Sequence, residues 1–170
     1  MTALADAVAG RLVGWQGLAG GLDEAALRAE LGAELTPDPT PRPRGARGYV
    51  VLHGRRPTPP EEVDAWLPLG SEVAATVEFE PPAGLDGEAL LADLGAPDLV
   101  LDSSHFQAGA VVEDHVHAGR GITVSVGEPF EAGRPRRIAY VQLYAPTTAE
   151  HYVTEIGQSG ERLRPSPRSD

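Results

Sequence analysis

The stretch GLDEAALRAELG, Gly21 to Gly32, returns almost unchanged as GLDGEALLADLG, Gly84 to Gly95. A chain that writes one helix twice must find two places to pack it. Each copy carries its own start and stop. Asp23 and Asp86 stand where a side-chain oxygen accepts from the free N–H groups of a first helical turn. Gly32 and Gly95 stand where a left-handed residue ends a helix. Leu27 and Leu31 lie one turn apart, as do Leu90 and Leu94, so each helix presents one apolar stripe.

Two further matches follow in the same order. RGYVVLHG (Arg47 to Gly54) parallels RGITVSVG (Arg120 to Gly127), and EVAATVEFEPP (Glu72 to Pro82) parallels RIAYVQLYAPT (Arg137 to Thr147). Three ordered matches predict a tandem duplication. The expected organisation is an N-terminal helical segment over 1–20, repeat unit one over 21–83, repeat unit two over 84–157 and a flexible tail over 158–170, all in one compact domain. The expected fold class is α+β: a tandem repeat of helix plus antiparallel strands, forming one sheet with helices packed on one face. Two capping boxes predict further helices. Thr58 with Glu61 opens one, with Pro59 at its first position and Val63, Trp66 and Leu67 on one face; Thr147 with Glu150 opens another, carrying Tyr152, Val153 and Ile156 and ending at Gly157. Leu35 to Ala46 alternates proline with polar residues and reads as an extended, solvated spacer.

The stretches LLADLGAPD, RGITVSVG and RRIAYVQLYAP give a helix ending in Leu-Gly-x-Pro, then a turn and strands. This outline, from Gly21 to Gly157, resembles the tandem helix–strand units of the β-lactamase-inhibitory protein family and the related outer-membrane assembly lipoproteins. The resemblance implies one continuous sheet and a protein-binding role, and it carries over no site residues. That group is exported, and the inhibitor is disulfide-bonded. Here there is no cysteine, and the opening MTALADAVAGRLVGW lacks a basic n-region, with Asp6 and Arg11 interrupting the apolar residues. The expectation is a cytoplasmic protein with no signal peptide.

Composition removes several chemistries. The 170 residues contain 14 basic side chains, all arginine, and no cysteine. Disulfides, thiolate metal sites, a cysteine nucleophile, a P-loop lysine and a Schiff-base lysine are excluded. The net charge of −11 repels nucleic acid backbones and anionic membranes and favours a basic protein partner.

The candidate chemistry is sparse. In VVEDHVH, strand geometry places Glu113, His115 and His117 on one face and Val112, Asp114 and Val116 on the other. His115 and His117 are the candidates for a shared metal, but zinc needs a third ligand, and neither Glu113 nor His105 is identified as one. The expected state is therefore metal-free, with both histidines on a solvated face; Asp114 among valines marks an edge strand. Ser103 with His105 lacks a nucleophile elbow. Glu78 and Glu80 share a wet strand face, and His151 with Glu155 is a surface helical pair. No catalytic residue and no cofactor are assigned.

The strand near Arg137 to Ala145 places Ile138, Tyr140, Gln142 and Tyr144 on one face and Ala139, Val141, Leu143 and Ala145 on the other. Both are largely apolar, so one is left over for the N-terminal helix around Leu12, Val13 and Trp15 or for a partner. The expected binding residues are Tyr140, Gln142 and Tyr144, with Glu113 and Glu131 attracting a basic partner. The leading expectation is a non-enzymatic protein-binding protein, inhibitor-like or immunity-like. The alternatives are a metal-dependent enzyme using His115 and His117, and a self-associating structural or assembly subunit.

Overall fold

The structure, a computed structural model, describes residues 3–44, 47–102, 112–127, 136–157 and 164–165. Helix α1 (Ala3–Val8) is followed by irregular chain and then α2 (Glu24–Leu31). Strands β1 (Glu34–Pro37), β2 (Arg42–Arg44), β3 (Arg47–Arg55), β4 (Glu62–Pro68) and β5 (Thr76–Phe79) lead to α3 (Gly87–Leu94). Then come β6 (Leu99–Asp102), β7 (Val112–His117), β8 (Ile122–Gly127) and β9 (Arg137–Tyr144). The chain closes with α4 (Ala149–His151), which runs on as a π-helical turn Tyr152–Ile156, and the two-residue β10 (Arg164–Pro165).

The repeated helices form as their sequences dictate. Asp23 Oδ1 accepts from the Ala26 amide at 2.8 Å, and Asp86 Oδ1 accepts from the Ala89 amide at 3.0 Å. Gly32 and Gly95 end them at φ of 60° and 75°. At α4 the cap falls one residue later than the sequence implies: Thr148, not Thr147, accepts from His151 N at 3.2 Å.

All ten strands join one antiparallel sheet in the order β1-β3-β4-β5-β9-β8-β7-β6-β10, with β2 also pairing β3. The meander β3-β4-β5 meets the meander β6-β7-β8-β9 along the β5–β9 pair, where Val77 faces Leu143 and Glu78 faces Gln142. The chain is α+β, as expected, but the strand matches proposed for a duplication do not hold position. β3 is two strands from β5, whereas its supposed counterpart β8 lies beside β9. Phe79 and Tyr144, aligned by the sequence match, also lie on opposite faces, since Tyr144 pairs with Thr76 and not with a residue in phase with Phe79.

Two stretches depart from the local reading. The segment after Thr58 is not a helix: Glu62–Pro68 is strand β4, with burial alternating at Val63, Ala65 and Leu67. Val63 and Leu67 fit a period of 3.6 together with Trp66 and a period of 2 together with Ala65, and pairing with β3 and β5 on both sides decides for the strand. The proline-rich spacer is also partly sheet. β1 and β2 both occupy the open side of β3, where Pro37 and Pro43 are tolerated because an edge strand can lack one N–H. Within the tail, Arg164–Pro165 pairs with Leu101 and Asp102.

Helices α1, α2 and α3 pack on one face of the sheet. Their leucines join Val63, Ala65, Val77, Phe79, Ile122, Val124, Val141 and Leu143 in the main core. The N-terminal segment does cover this face, but mostly without helix. Leu12, Trp15, Leu18 and Leu22 are buried along irregular chain, while Val13 is exposed. The Trp15 indole N–H donates to the Gly121 carbonyl at 3.2 Å. The opposite face is covered by α4 and its π turn, where Tyr152 and Ile156 join Leu101, Val116, Ala118 and Tyr144 in a smaller cluster.

An ion pair fastens α3 to the start of β9. Arg136 Nε lies 2.8 Å from Glu88 Oε1, and its second nitrogen 2.9 Å from Oε2. The Arg136 side chain lowers the Glu88 carboxyl from the ordinary 4.5 to about 2. A depressed folded-state value contributes stability in full above about 4.5 and loses it as the pH falls through about 2. The expected result is a Glu88 carboxyl that titrates near 2 by NMR and returns toward 4.5 in Arg136→Ala. An unchanged titration in that variant would show that the pair does not persist in solution.

Candidate functional site

The α4 side of the sheet is unlike the helix-packed side. Its inward-facing residues are polar and still buried: Arg44, Thr76, Asp114, Thr123, Ser125 and Gln142 are all at most 3% exposed. Alternation on the strands puts them there, because their neighbours Val77, Val124, Val141 and Leu143 fill the main core. A buried polar group costs free energy unless it is hydrogen-bonded, and most of these are.

Arg44 is a buried cation. Its guanidinium stacks over the Trp66 ring, 3.8 Å from the centroid, and donates to Glu78 Oε1 at 2.5 Å. The Glu78 charge raises its pKa against the burial that would lower it, so it stays protonated. On the neighbouring strands the Ser125 hydroxyl donates to Asp114 Oδ1, and the Tyr140 hydroxyl donates to Asp114 Oδ2 at 3.3 Å. Burial, reinforced by the Asp114 charge, raises the Tyr140 phenol far above its ordinary value and keeps it neutral. Tyr152 donates to Gln142 Oε1 at 2.9 Å and stacks at 5.2 Å from Tyr144.

This buried network opens at one side into a groove of about 1090 Å3. Glu78 and Tyr140 belong to both. Six carboxylates line the groove, from Glu34, Glu61, Glu62, Asp64, Glu78 and Glu80, against the single guanidinium of Arg55. Pro59, Pro60, Pro81 and Pro82 add rigid apolar walls. At its rim His53 Nδ1 lies 2.8 Å from Asp64 Oδ1, and Nε2 lies 3.6 Å from Asp38.

The expected binding residues fall in different places. Tyr144 is 0% and Gln142 2% exposed, sealed beneath the π turn, so neither offers a free surface. The opposite side of that strand is no freer, with Val141 and Leu143 both in the main core. The expected interaction surface on 137–145 is therefore corrected: both faces are covered, one by α1–α3 and the N-terminal segment, the other by α4. Only Tyr140, half-buried, reaches the groove. Glu113 is half-buried on the helix-packed side of β7, with its Oε2 3.4 Å from His115 Nε2. Glu131, like Ser103 and His105, lies outside the described residues.

The histidine strand also needs correction. β7 is not an edge, because β6 and β8 flank it. His117 is buried rather than solvated, and burial lowers its pKa and holds it neutral. Asp114 is tolerated among valines because Ser125 and Tyr140 hydrogen-bond it. Among the described residues no three metal-ligating side chains converge. Glu155 is not paired with His151 but with Arg47, and its carbonyl accepts from Tyr49 at 2.7 Å.

The groove and Arg44 were missed by local reading because their parts are scattered from Glu34 to Tyr140. The one local signal was the Arg-rich, acid-flanked composition of residues 42 to 80, which has no register until the strands pair. No protein-family model matches the chain, and neither curated proteins nor solved structures yielded a match. Among the described residues no helix is long and apolar enough to cross a membrane.

Proposed function

We propose that this chain is a non-enzymatic protein-binding protein that takes a basic segment of its partner into the groove between β1, β4 and β5. The observation that supports this reading is the charge of that groove: six carboxylates against one guanidinium, on a chain of net charge −11. Clefts lined by one sign of charge focus the field and raise the local concentration of the opposite charge. The proline walls favour an extended segment, since rigid flat surfaces accept a chain without reordering. The same field opposes phosphate backbones, which argues against nucleic acid.

Glu61, Glu62 and Glu80 are exposed, so their removal tests charge without disturbing the core. Measured by fluorescence anisotropy, a basic peptide is expected to bind and an acidic peptide of equal length is not. Affinity should fall as salt rises, because the Debye length is only about 8 Å at 0.15 M. In Glu61→Gln/Glu62→Gln/Glu80→Gln, the loss should be roughly 0.2–1 kcal/mol per charge, mostly in the association rate. Equal binding of the acidic peptide, or no change in the triple variant, would overturn the reading.

A further inference from the structure

The turn that follows β7 is where the N-terminal segment is fastened. Ala118–Arg120 form one 3-10 turn, and Gly121 leaves it at φ 67°. The Gly121 carbonyl accepts from the Trp15 indole at 3.2 Å, and Arg120 Nη2 donates to the Trp15 carbonyl at 3.5 Å. The same Gly121 carbonyl accepts from the Tyr144 amide at 2.9 Å, while the Tyr144 carbonyl accepts from Leu18 N at 2.8 Å. Arg120 also reaches α3, with Nη1 3.4 Å from the Asp93 carbonyl. One corner thus joins β7, β9, α3 and the segment that closes the helix-packed side of the sheet.

The residue at the base of that corner is a histidine. His117 is the last residue of β7 and only 3% exposed, and its Nε2 is enclosed with no hydrogen-bond partner among the described residues. The charged and titratable groups around it are few. His115 and Glu113 precede it on its own strand face. Arg120 follows across the 3-10 turn, with its Nε also enclosed and unpartnered. Asp93 lies in the last turn of α3 and Asp98 just before β6, and both are exposed. Asp98 already accepts from the Gly119 amide at 3.2 Å. β8, which pairs with His117 at Ile122, carries no titratable side chain. A neutral imidazole fits this place. An imidazolium gains an Nε2–H that meets no acceptor, beside a guanidinium that already has one N–H unpaired, and an enclosed cation without a partner is costly.

We infer that His117 is an acid-released latch: protonating its ring loosens the 118–121 turn and lets residues 12–18 leave the sheet. Trp15 and Leu18 belong to the main core, so their departure opens that core to solvent. The direction of titration agrees. Burial, and after it the charges of His115 and Arg120, lower the pKa of His117 from the ordinary 6.5, against the opposing charge of Asp98. The open form therefore takes the proton first, and the closed form is favoured in full above about 6.5 and loses ground as the pH falls below it. None of these residues lines the acidic groove, so the latch stands whether or not a basic segment binds there.

Amide exchange followed by NMR tests the latch between about pH 7.5 and 5.5, the range in which histidine changes charge. The quantities read are the protection factors of Leu18 N and of the Trp15 indole N–H. Both should fall below about 6.5, by up to about tenfold per pH unit, the limit for uptake of one proton. In His117→Gln, which cannot take up that proton, protection should stay level over the range. In His115→Gln the fall should remain. Level protection in the wild type, or a fall that survives in His117→Gln, or one that disappears in His115→Gln alone, overturns the latch. Should His117→Gln not fold, the wild-type ring decides. Its carbon resonances should keep their neutral position in the closed form while protection falls. A His117 ring that becomes charged with Leu18 still protected overturns the inference.

Discussion

Tyr144→Ala is expected to lower the folding free energy by roughly 3–5 kcal/mol, the range for removing a large aromatic side chain from a packed interior. The ring is 0% exposed and tilts against Tyr152 with centroids 5.2 Å apart. Its hydroxyl donates to the Ile122 carbonyl at 3.2 Å and lies 3.0 Å from Thr123 Oγ1. Alanine leaves a cavity beneath the π turn and strips those partners of a hydrogen bond. Tyr144→Phe keeps the ring and should cost only about 0.5–1.5 kcal/mol for the net loss of a hydrogen bond. Urea unfolding checks both, with the midpoint moving and the slope unchanged. A loss below 1 kcal/mol in the alanine variant would mean that α4 does not seal this face in solution, and the surface on Tyr144 and Gln142 would return as a binding candidate.

Gly121→Ala should be about as damaging, for a backbone reason. Gly121 sits at φ 67°, and a Cβ placed on it would come within 2.1 Å of the Tyr144 carbonyl oxygen and 3.1 Å of Gly17 Cα. No rotamer relieves such a contact, because both neighbours are backbone. The left-handed conformation adds strain of about 1–3 kcal/mol, and forced displacement in a packed region adds about 1–3 kcal/mol. The displaced element is identifiable. The Gly121 carbonyl accepts from the Trp15 indole and the Tyr144 amide, while the Tyr144 carbonyl accepts from Leu18 N at 2.8 Å. The N-terminal segment is therefore the first part to leave. Trp15 fluorescence should shift to the red, and amides near Leu18 should exchange faster with solvent. Wild-type stability together with an unshifted emission maximum would refute this account of the docking.

The two positions bear on function through a shared consequence. At the Leu143–Tyr144 end of β9 both faces are used for folding, so a variant there weakens binding only by weakening the fold. The groove residues behave differently. Glu61, Glu62 and Glu80 are exposed, and their removal should change association with little effect on melting. A binding screen is best begun with those three glutamates and with Tyr140, not with Tyr144, buried four residues further along.

The sequence by itself determined whatever rests on a few consecutive residues. The caps at Asp23 and Asp86 and the terminating glycines specify two helices, because a capping hydrogen bond spans only three positions. Alternation specifies β7 and β9, and the α+β class follows. The negative charge of the chain needs no structure at all. Which face of a strand is covered is another matter, since alternation separates two faces without naming the one that meets a helix. Tyr144 and Leu143 are both fully buried, each by a different layer, and nothing local distinguishes them. Val63 and Leu67 share a face with Trp66 on a helix and with Ala65 on a strand, and nothing chooses until β3 and β5 pair on either side. Asp114 reads as an edge residue until Ser125 and Tyr140 supply its hydrogen bonds from other strands. Arg44, within a proline-rich stretch that looks solvated, becomes a buried cation only because Trp66 and Glu78 arrive from β4 and β5 to receive it. The groove belongs to the same class: its charge is written in the composition, but its walls exist only where strand pairing brings residues from Glu34 to Tyr140 to one end of the sheet.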